Sequence, residues 1–276
     1  MKRLLLLLLM CAPAWAKNNF LTDTNCVALW KMENGALTID TIGGNPLQAR
    51  GSPTAITGDK QEGDASVELN SAGSDELYST DGVLDNDFPL KYTGGTGGTT
   101  ISVCAWLKMD SEAGSGDEHV ILSKWWTVAG GRSWLLSMYD NGTQSFFMMR
   151  KAYNGGNSSE YGFNAEIPYV TGTWYHVGAV YEDSSKNWKI RVYDPNGSNY
   201  ETSGTMAQNI SLTTTEWVIG HEDGAQYHNF DGHIDEVVVF KDVLTSDEID
   251  LIRQGLYGAP AATGTSNWWW RRRHNN

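Results

Sequence analysis

Short runs of alternating, β-branched and aromatic residues, separated by turn sequences, dominate the chain between about residues 26 and 241. Helical periodicity is almost absent from this region. The runs cover residues 26–32, 66–70, 101–109, 119–124, 134–139, 145–150, 174–181, 188–194, 216–220 and 232–241. Many short strands with clusters of Gly, Asn and Asp between them predict an all-β sandwich or barrel.

Two of the turn sequences and one of the runs are informative in detail. Asp-Asn-Gly at 140–142 and Pro-Asn-Gly at 195–197 predict tight hairpins, because Asn and Gly tolerate positive φ. In the run 174–181, every second residue belongs to the same face of the strand. Both faces lean towards apolar residues, so we expect one face to be buried in the sandwich and the other to line a groove.

One helix is predicted near the end of the domain, over residues 244–255. Thr245 or Ser246 can cap its N-terminus, and Asp247 and Glu248 suit the positive end of a helix dipole. Gly255 can end it.

The first sixteen residues have the pattern of a secretory signal peptide. Lys2 and Arg3 precede a leucine run at 4–9, and Ala-Trp-Ala at 14–16 provides a cleavage sequence. A lipoprotein signal at Cys11 is the alternative, and Met10 disfavours it because a lipobox needs a small residue there. The apolar run is shorter than the roughly 20 residues that span a bilayer. We therefore expect a secreted or cell-surface protein whose domain covers residues 17–258.

Charge narrows the choice of partner. Without Lys2 and Arg3 the chain carries 18 basic and 33 acidic residues, a net charge of −15. Such a surface repels phosphate backbones, so a nucleic acid is not expected as partner. An acidic surface also attracts divalent cations.

Residues 259–276 differ in composition from the rest and are predicted to be a disordered linker and tail. The linker ends in an aromatic and basic cluster, Trp-Trp-Trp-Arg-Arg-Arg at 268–273. This cluster could bind a partner, an anionic surface or a sorting machinery, or have no specific role.

The order and spacing of five segments resemble the laminin-G-like jelly rolls of the concanavalin A-like lectin/glucanase superfamily. The segments are 27–35, 40–47, 101–108, 174–177 and 230–240, followed by the predicted helix. The resemblance covers residues 24–258. It implies two antiparallel sheets packed face to face, one concave and one convex, with 230–240 as an inner strand. Relatives include lectins, adhesion modules and some glycan hydrolases or lyases, so the fold alone leaves the function open.

A carbohydrate-binding site needs aromatic platforms for sugar rings and polar groups for hydroxyls. The region 124–161 is richest in both. Trp106 and Trp134 are expected in the core, and the consecutive Trp125 and Trp126 should point to opposite faces. The candidate ligand-binding residues are Trp125, Trp126, Tyr139, Arg150 and Tyr161.

The resemblance also implies a structural calcium ion, bound by Asp235 on the returning strand together with backbone carbonyls. Glu33 is a further candidate ligand. The alternative is that Asp235 accepts hydrogen bonds from backbone amides in a turn. The two cysteines of the domain, Cys26 and Cys104, can form one disulfide or remain as two buried thiols.

An enzyme would need paired carboxylates, and the closest pattern is Glu62, Asp64 and Glu68. Their spacing is one residue too long for the motif of laminarinase-like relatives. The histidines lack a His-Glu-x-x-His spacing, and no nucleophile elbow is present. The leading interpretation is therefore a secreted binding or adhesion module for a glycan. The alternatives are a glycan hydrolase or lyase, and a structural surface protein.

Overall fold

The structure is a computed structural model that describes residues 18–94, 100–164, 169–222 and 228–258. The predicted signal peptide and the tail at 259–276 lie outside the described residues. In the described part, fifteen strands, one α-helix and two 3₁₀ turns, Phe20–Thr22 and Ser71–Gly73, follow each other along the chain. The strands are β1 (Cys26–Trp30), β2 (Gln48–Arg50), β3 (Thr54–Ile56), β4 (Ser66–Leu69), β5 (Glu76–Ser79), β6 (Ile101–Met109), β7 (Glu118–Trp125), β8 (Arg132–Asp140), β9 (Ser145–Tyr153), β10 (Ser158–Asn164), β11 (Trp174–Glu182), β12 (Asn187–Tyr193), β13 (Asn199–Thr205), β14 (Trp217–Ile219) and β15 (Gly232–Phe240).

The strands form two antiparallel sheets. The first sheet has the order β13-β12-β11-β6-β15-β4-β3, with β1 paired to β15. The second sheet has the order β10-β9-β8-β7-β14-β5-β2. The predicted all-β jelly-roll sandwich is thus confirmed, and the segment 230–240 provides β15, an inner strand between β6 and β4.

Side chains from the facing sides of both sheets make one large core. Trp134 of the second sheet stacks on Trp217 with ring centroids 6.2 Å apart, and Trp217 stacks on Trp30 at 6.4 Å. All three rings are fully buried, which confirms Trp134 as a core residue. Along β11, Tyr175 and its alternate neighbours point into this core. Burial of these aromatic rings supplies much of the hydrophobic stabilisation of the sandwich.

The single helix, α1 (Ser246–Arg253), covers part of the outer face of the first sheet. Thr245 caps it, and the Glu248 side chain bonds back to the Thr245 backbone to complete a capping box. Ile249 packs directly on Gly178 of β11, where a Cβ atom would lie 2.7 Å from the isoleucine side chain. The glycine therefore allows the close approach of helix and sheet.

Cys26 and Cys104 are buried free thiols on this same outer face. Both strands that carry them pair with β15, on its opposite edges. Two strand spacings separate their backbones by about 9–10 Å, beyond the reach of a disulfide. Of the two alternatives, the structure contains the two thiols and not the bridge.

Trp106 does not lie in the core, contrary to the expectation from the sequence. It is half-buried on the outer face of the first sheet, where its ring meets His176 at 5.0 Å. Its position follows from the alternation of β6, in which the neighbouring Ala105 and Leu107 point inwards. Among the described residues, no helix is long and apolar enough to cross a membrane.

Candidate functional site

The outer face of the second sheet is not covered by the helix, and it carries a continuous row of aromatic and charged side chains. Tyr161 of β10 pairs with Arg150 of β9, which pairs with Leu135 of β8, so these three share a face. Trp125, at the end of β7, packs over Leu135 on the same side.

Guanidinium groups and aromatic rings alternate at one end of this row. The Arg150 guanidinium lies 5.3 Å from the Trp125 ring and 5.1 Å from the Tyr161 ring. Arg132, the first residue of β8, lies 5.6 Å from Trp125. Tyr161 is 50 % exposed, whereas Trp125 is buried beneath the two arginines. Trp125 therefore supports the arginines through cation–π contacts, and Tyr161 presents the accessible ring.

The other two aromatic candidates lie apart from this group. Trp126 packs against Gly131 and is 42 % exposed, whereas Trp125 is buried. Tyr139 lies at the far end of β8, with its ring 5.4 Å from Phe146. The structure thus brings together Trp125, Arg150 and Tyr161, but not Trp126.

Beyond Arg150, the row continues into buried carboxylates. Glu118, the first residue of β7, places Oε1 3.2 Å from an Arg150 guanidinium nitrogen and accepts a hydrogen bond from the Ser137 hydroxyl at 2.8 Å. Glu118 is almost fully buried. Because a buried charge is costly without a partner, the Arg150 ion pair and the Ser137 hydroxyl are what allow this carboxylate to lie here.

The imidazole of His228 lies at the carboxylate end of the row. His228 Nδ1 lies 2.7 Å from Oε1 of the buried Glu222 and 3.8 Å from Glu118, while its Nε2 lies 3.1 Å from Asp117. The hydrogen bond to Glu222 raises the pKa of His228 above its ordinary value. A carboxylate at each ring nitrogen favours the doubly protonated form of the imidazole.

Sequence reasoning did not select Arg132, Glu118, Glu222 or His228 for this face. The signal for Glu118 was its place directly before the predicted strand 119–124. The contact of His228 with β7 depends on how the chain returns between β14 and β15, which no local pattern encodes.

Asp235, the predicted calcium ligand, is fully buried on β15. Its Oδ2 accepts hydrogen bonds from the backbone amides of Gln61 at 2.8 Å and Glu62 at 3.1 Å. Its Oδ1 has no hydrogen-bond partner within the described residues. Burial raises the pKa of Asp235 to about 7.

More acidic groups surround this buried carboxyl. Burial, together with the charges of Glu62 and Asp235, raises the pKa of Glu236 to about 9. Glu33 accepts a hydrogen bond from the Asp64 amide at 2.5 Å, and burial raises its pKa as well. An orphaned carboxylate oxygen among several acidic groups fits the oxygen donors that calcium prefers.

The carboxylate pattern considered for catalysis, Glu62, Asp64 and Glu68, does not form one strand face. Because β4 begins at Ser66, the first two residues lie in the preceding loop. Asp64 accepts a hydrogen bond there from the Asn34 amide at 2.9 Å. The three residues therefore do not lie together on one strand face.

A groove of about 670 Å³ opens elsewhere, at the rim of the sandwich. Tyr92, Tyr153, Asn154 and residues 208–214 line it. Its lining is formed by uncharged residues, whereas the row on the second sheet carries arginines and carboxylates.

Two face-to-face antiparallel sheets, one bearing an aromatic and charged row on its outer face, define a jelly-roll domain of the lectin and glucanase type. Residues 79–250 match the family model described as the concanavalin A-like lectin/glucanases superfamily. The chain belongs to this superfamily. The sequence has no significant match among curated proteins.

Solved structures with the same fold have low sequence identity. The binding domain of botulinum neurotoxin serotype D/C VPI 5993 has 13 % identity and a TM-score of 0.59, covering 85 % of this chain and 53 % of its own. Botulinum neurotoxin type C, whose cell entry is described as dependent upon interaction with two ganglioside molecules, has 14 % identity and a TM-score of 0.59, with coverages of 84 % and 51 %. Tailspike protein 2 of an Escherichia coli O157:H7 bacteriophage has 11 % identity and a TM-score of 0.56, with coverages of 80 % and 28 %. The present chain spans about half the length of the neurotoxin structures.

Proposed function

We propose that this protein is a secreted or cell-surface module that binds carbohydrate on the outer face of its second sheet. The observation that carries the proposal is the grouping of the exposed Tyr161 ring with the Arg132 and Arg150 guanidinium groups. A tyrosine ring stacks on the apolar face of a sugar, and guanidinium groups donate hydrogen bonds to hydroxyl or carboxylate oxygens.

Two further points support a glycan as the ligand. One of the similar structures, botulinum neurotoxin type C, is described as interacting with gangliosides. The strong acidic excess of the chain disfavours nucleic acid, whereas it does not hinder neutral sugars. The expectation of an extracytoplasmic location rests on residues 1–16, which lie outside the described part of the chain.

A glycan array tests the proposal, followed by titration of the best ligand into single variants. We expect Tyr161→Ala to weaken binding at least tenfold, because it removes the accessible ring and leaves the core intact. Arg132→Gln should also weaken binding, because it removes a guanidinium group whose hydrogen bonds among the described residues go to the carbonyls of Trp126 and Thr127. The matched control is Tyr92→Ala, which removes an exposed tyrosine from the rim groove. Normal binding by Tyr161→Ala and Arg132→Gln would refute this location.

Glycan hydrolysis is a second candidate, favoured by one observation. Carboxylate oxygens of Glu118 and Glu222 lie within 4.8 Å of each other on the same face. This is near the separation of about 5–5.5 Å that characterises retaining glycosidases. Release of reducing sugar that is abolished by Glu118→Gln and Glu222→Gln, but not by Glu62→Gln, would establish it. Absence of turnover on every bound glycan would exclude it.

We also propose that calcium binds at Asp235 and stabilises the fold. Asp235 supplies the orphaned Oδ1, and Glu236, Glu62 and Glu33 supply the surrounding negative charge. Calcium would keep these carboxylates ionised in a buried position. Elemental analysis and the effect of a chelator on the melting temperature test this proposal.

A further inference from the structure

A second group of potential metal ligands lies on the outer face of the first sheet, away from the proposed glycan site. His233 of β15 pairs directly with Glu68 of β4 on one side and with Lys108 of β6 on the other. Asp110 follows β6 two residues after Lys108 and therefore projects to the same face. One ligand atom from each of Glu68, Asp110 and His233 lies within 4.8 Å of the other two.

The hydrogen bonds behind His233 determine which ring nitrogen carries its proton. The Ser66 hydroxyl donates to the Asp59 carbonyl at 2.6 Å, so its oxygen is left to accept. His233 Nδ1 lies 3.3 Å from this oxygen and is the donor. In the neutral ring, Nε2 then carries a lone pair, which is the arrangement of a metal-binding histidine fixed by its neighbours.

The Nε2 atom of His233, which carries this lone pair, lies close to a carboxylate. His233 is only 5 % exposed. Its Nε2 lies 3.5 Å from Asp110 Oδ2, beyond the roughly 2.7–3.2 Å of an ordinary N–H···O hydrogen bond. The Nε2 lone pair of His233 and the carboxylates of Glu68 and Asp110 are all electron-pair donors. A cation between them would therefore be stabilised by all three.

The neighbouring lysine does not supply this charge. The Lys108 ammonium forms its close ion pair with Asp59 and lies 3.6 Å from the other oxygen of Asp110, Oδ1. One carboxylate oxygen each of Asp110 and Glu68 lies within 4.8 Å of a His233 ring nitrogen. One imidazole and two carboxylates are the donors that zinc and related ions prefer.

We propose that Glu68, Asp110 and His233 bind a divalent transition-metal ion of the zinc class. Three protein ligands leave at least one coordination position for water or for an oxygen of a bound molecule. The site is separate from the calcium position proposed at Asp235, which offers only oxygen donors. It also differs from the Glu118, Glu222 and His228 cluster, in which both imidazole nitrogens already face carboxylates.

The direct test is calorimetric titration of zinc chloride into the tag-free, calcium-saturated protein, with cobalt absorption spectra as a second measurement. We expect one equivalent to bind and a cobalt spectrum with imidazole coordination. Glu68→Gln and Asp110→Asn should each weaken binding at least tenfold, and these partly exposed residues can be changed without disturbing the core. Ser66→Ala should weaken binding about tenfold by releasing the orientation of His233.

The matched control is His228→Gln, which removes the imidazole of the other cluster and should leave zinc binding unchanged. Three results would each overturn the proposal: no specific zinc binding by the wild-type protein, equal affinity of the wild type, Glu68→Gln and Asp110→Asn, or loss of binding in His228→Gln. His233→Gln should abolish the cobalt imidazole signal. If that variant does not fold, the two carboxylate variants still decide the outcome.

Discussion

Replacing Asp235 by asparagine should stabilise the calcium-free protein at alkaline pH. Asparagine keeps an acceptor oxygen for the amides of Gln61 and Glu62 but removes the buried charge. Burial raises the pKa of Asp235 from an ordinary value of 3.8 to about 7. The contribution of this group to stability is therefore complete below about pH 4 and is lost as the pH rises through 7.

The size of the effect follows from the two pKa values. One pKa unit corresponds to about 1.4 kcal/mol, so the full shift is worth on the order of 4 kcal/mol. About half of this, on the order of 2 kcal/mol, is lost between pH 5.5 and pH 8. For a domain of this size, the gap between the melting temperatures of the wild type and Asp235→Asn should widen by roughly 4–8 °C from pH 5.5 to pH 8.

The assay is urea unfolding of the wild type and Asp235→Asn in a chelator at pH 5.5 and pH 8. Comparing the two proteins at each pH cancels the titration of the carboxylates that do not interact with Asp235. Asp87→Asn, which removes one exposed charge, is the control and should show no pH-dependent difference. With calcium the advantage of Asp235→Asn at pH 8 should shrink, because only the wild type gains the binding free energy, about 2.7 kcal/mol at a hundred times the dissociation constant. A stability difference that is constant from pH 5.5 to pH 8 would refute the reasoning.

Three further predictions concern other parts of the molecule. The pKa of His228, followed by NMR, should lie above its ordinary value and fall in Glu222→Gln, because Glu222 causes the increase; an unchanged pKa would contradict the ion pair. Cys26 and Cys104 should both react as free thiols after unfolding without a reductant, but not in the native protein, where burial raises the pKa of Cys26 to about 12; a mapped Cys26–Cys104 disulfide would contradict the strand order. Thr245→Ala should lower the unfolding free energy by about 1 kcal/mol through loss of the helix cap, and no loss of stability would show that the cap is dispensable.

Periodicity and turn chemistry predicted most of the fold. Each of the ten runs found in the sequence overlaps a strand, and the turns at 140–142 and 195–197 connect β8 to β9 and β12 to β13. The five missed strands contain at most two apolar or aromatic residues each. β13, with every residue at least partly exposed, is an edge strand, and its polar residues need no buried face. The three-residue β2 and β3 are too short and too exposed to produce a pattern.

The candidate site was predicted only in part, because it depends on which strands become neighbours. Tyr161 and Arg150 were selected for their residue type, and the pairing of β10 with β9 places them together. The burial of Trp125 beneath two arginines could not be read from the sequence, since Arg132 reaches it across a hairpin. Glu118 and His228 meet only through the order of strands in the second sheet.

A structure of the protein with the best oligosaccharide from the array tests the central proposal most directly. We predict a sugar ring stacked on Tyr161, with its oxygens accepting hydrogen bonds from Arg132 or Arg150 on the outer face of the second sheet. A ligand bound instead in the rim groove beside Tyr92 and Asn154 would contradict this account of the site.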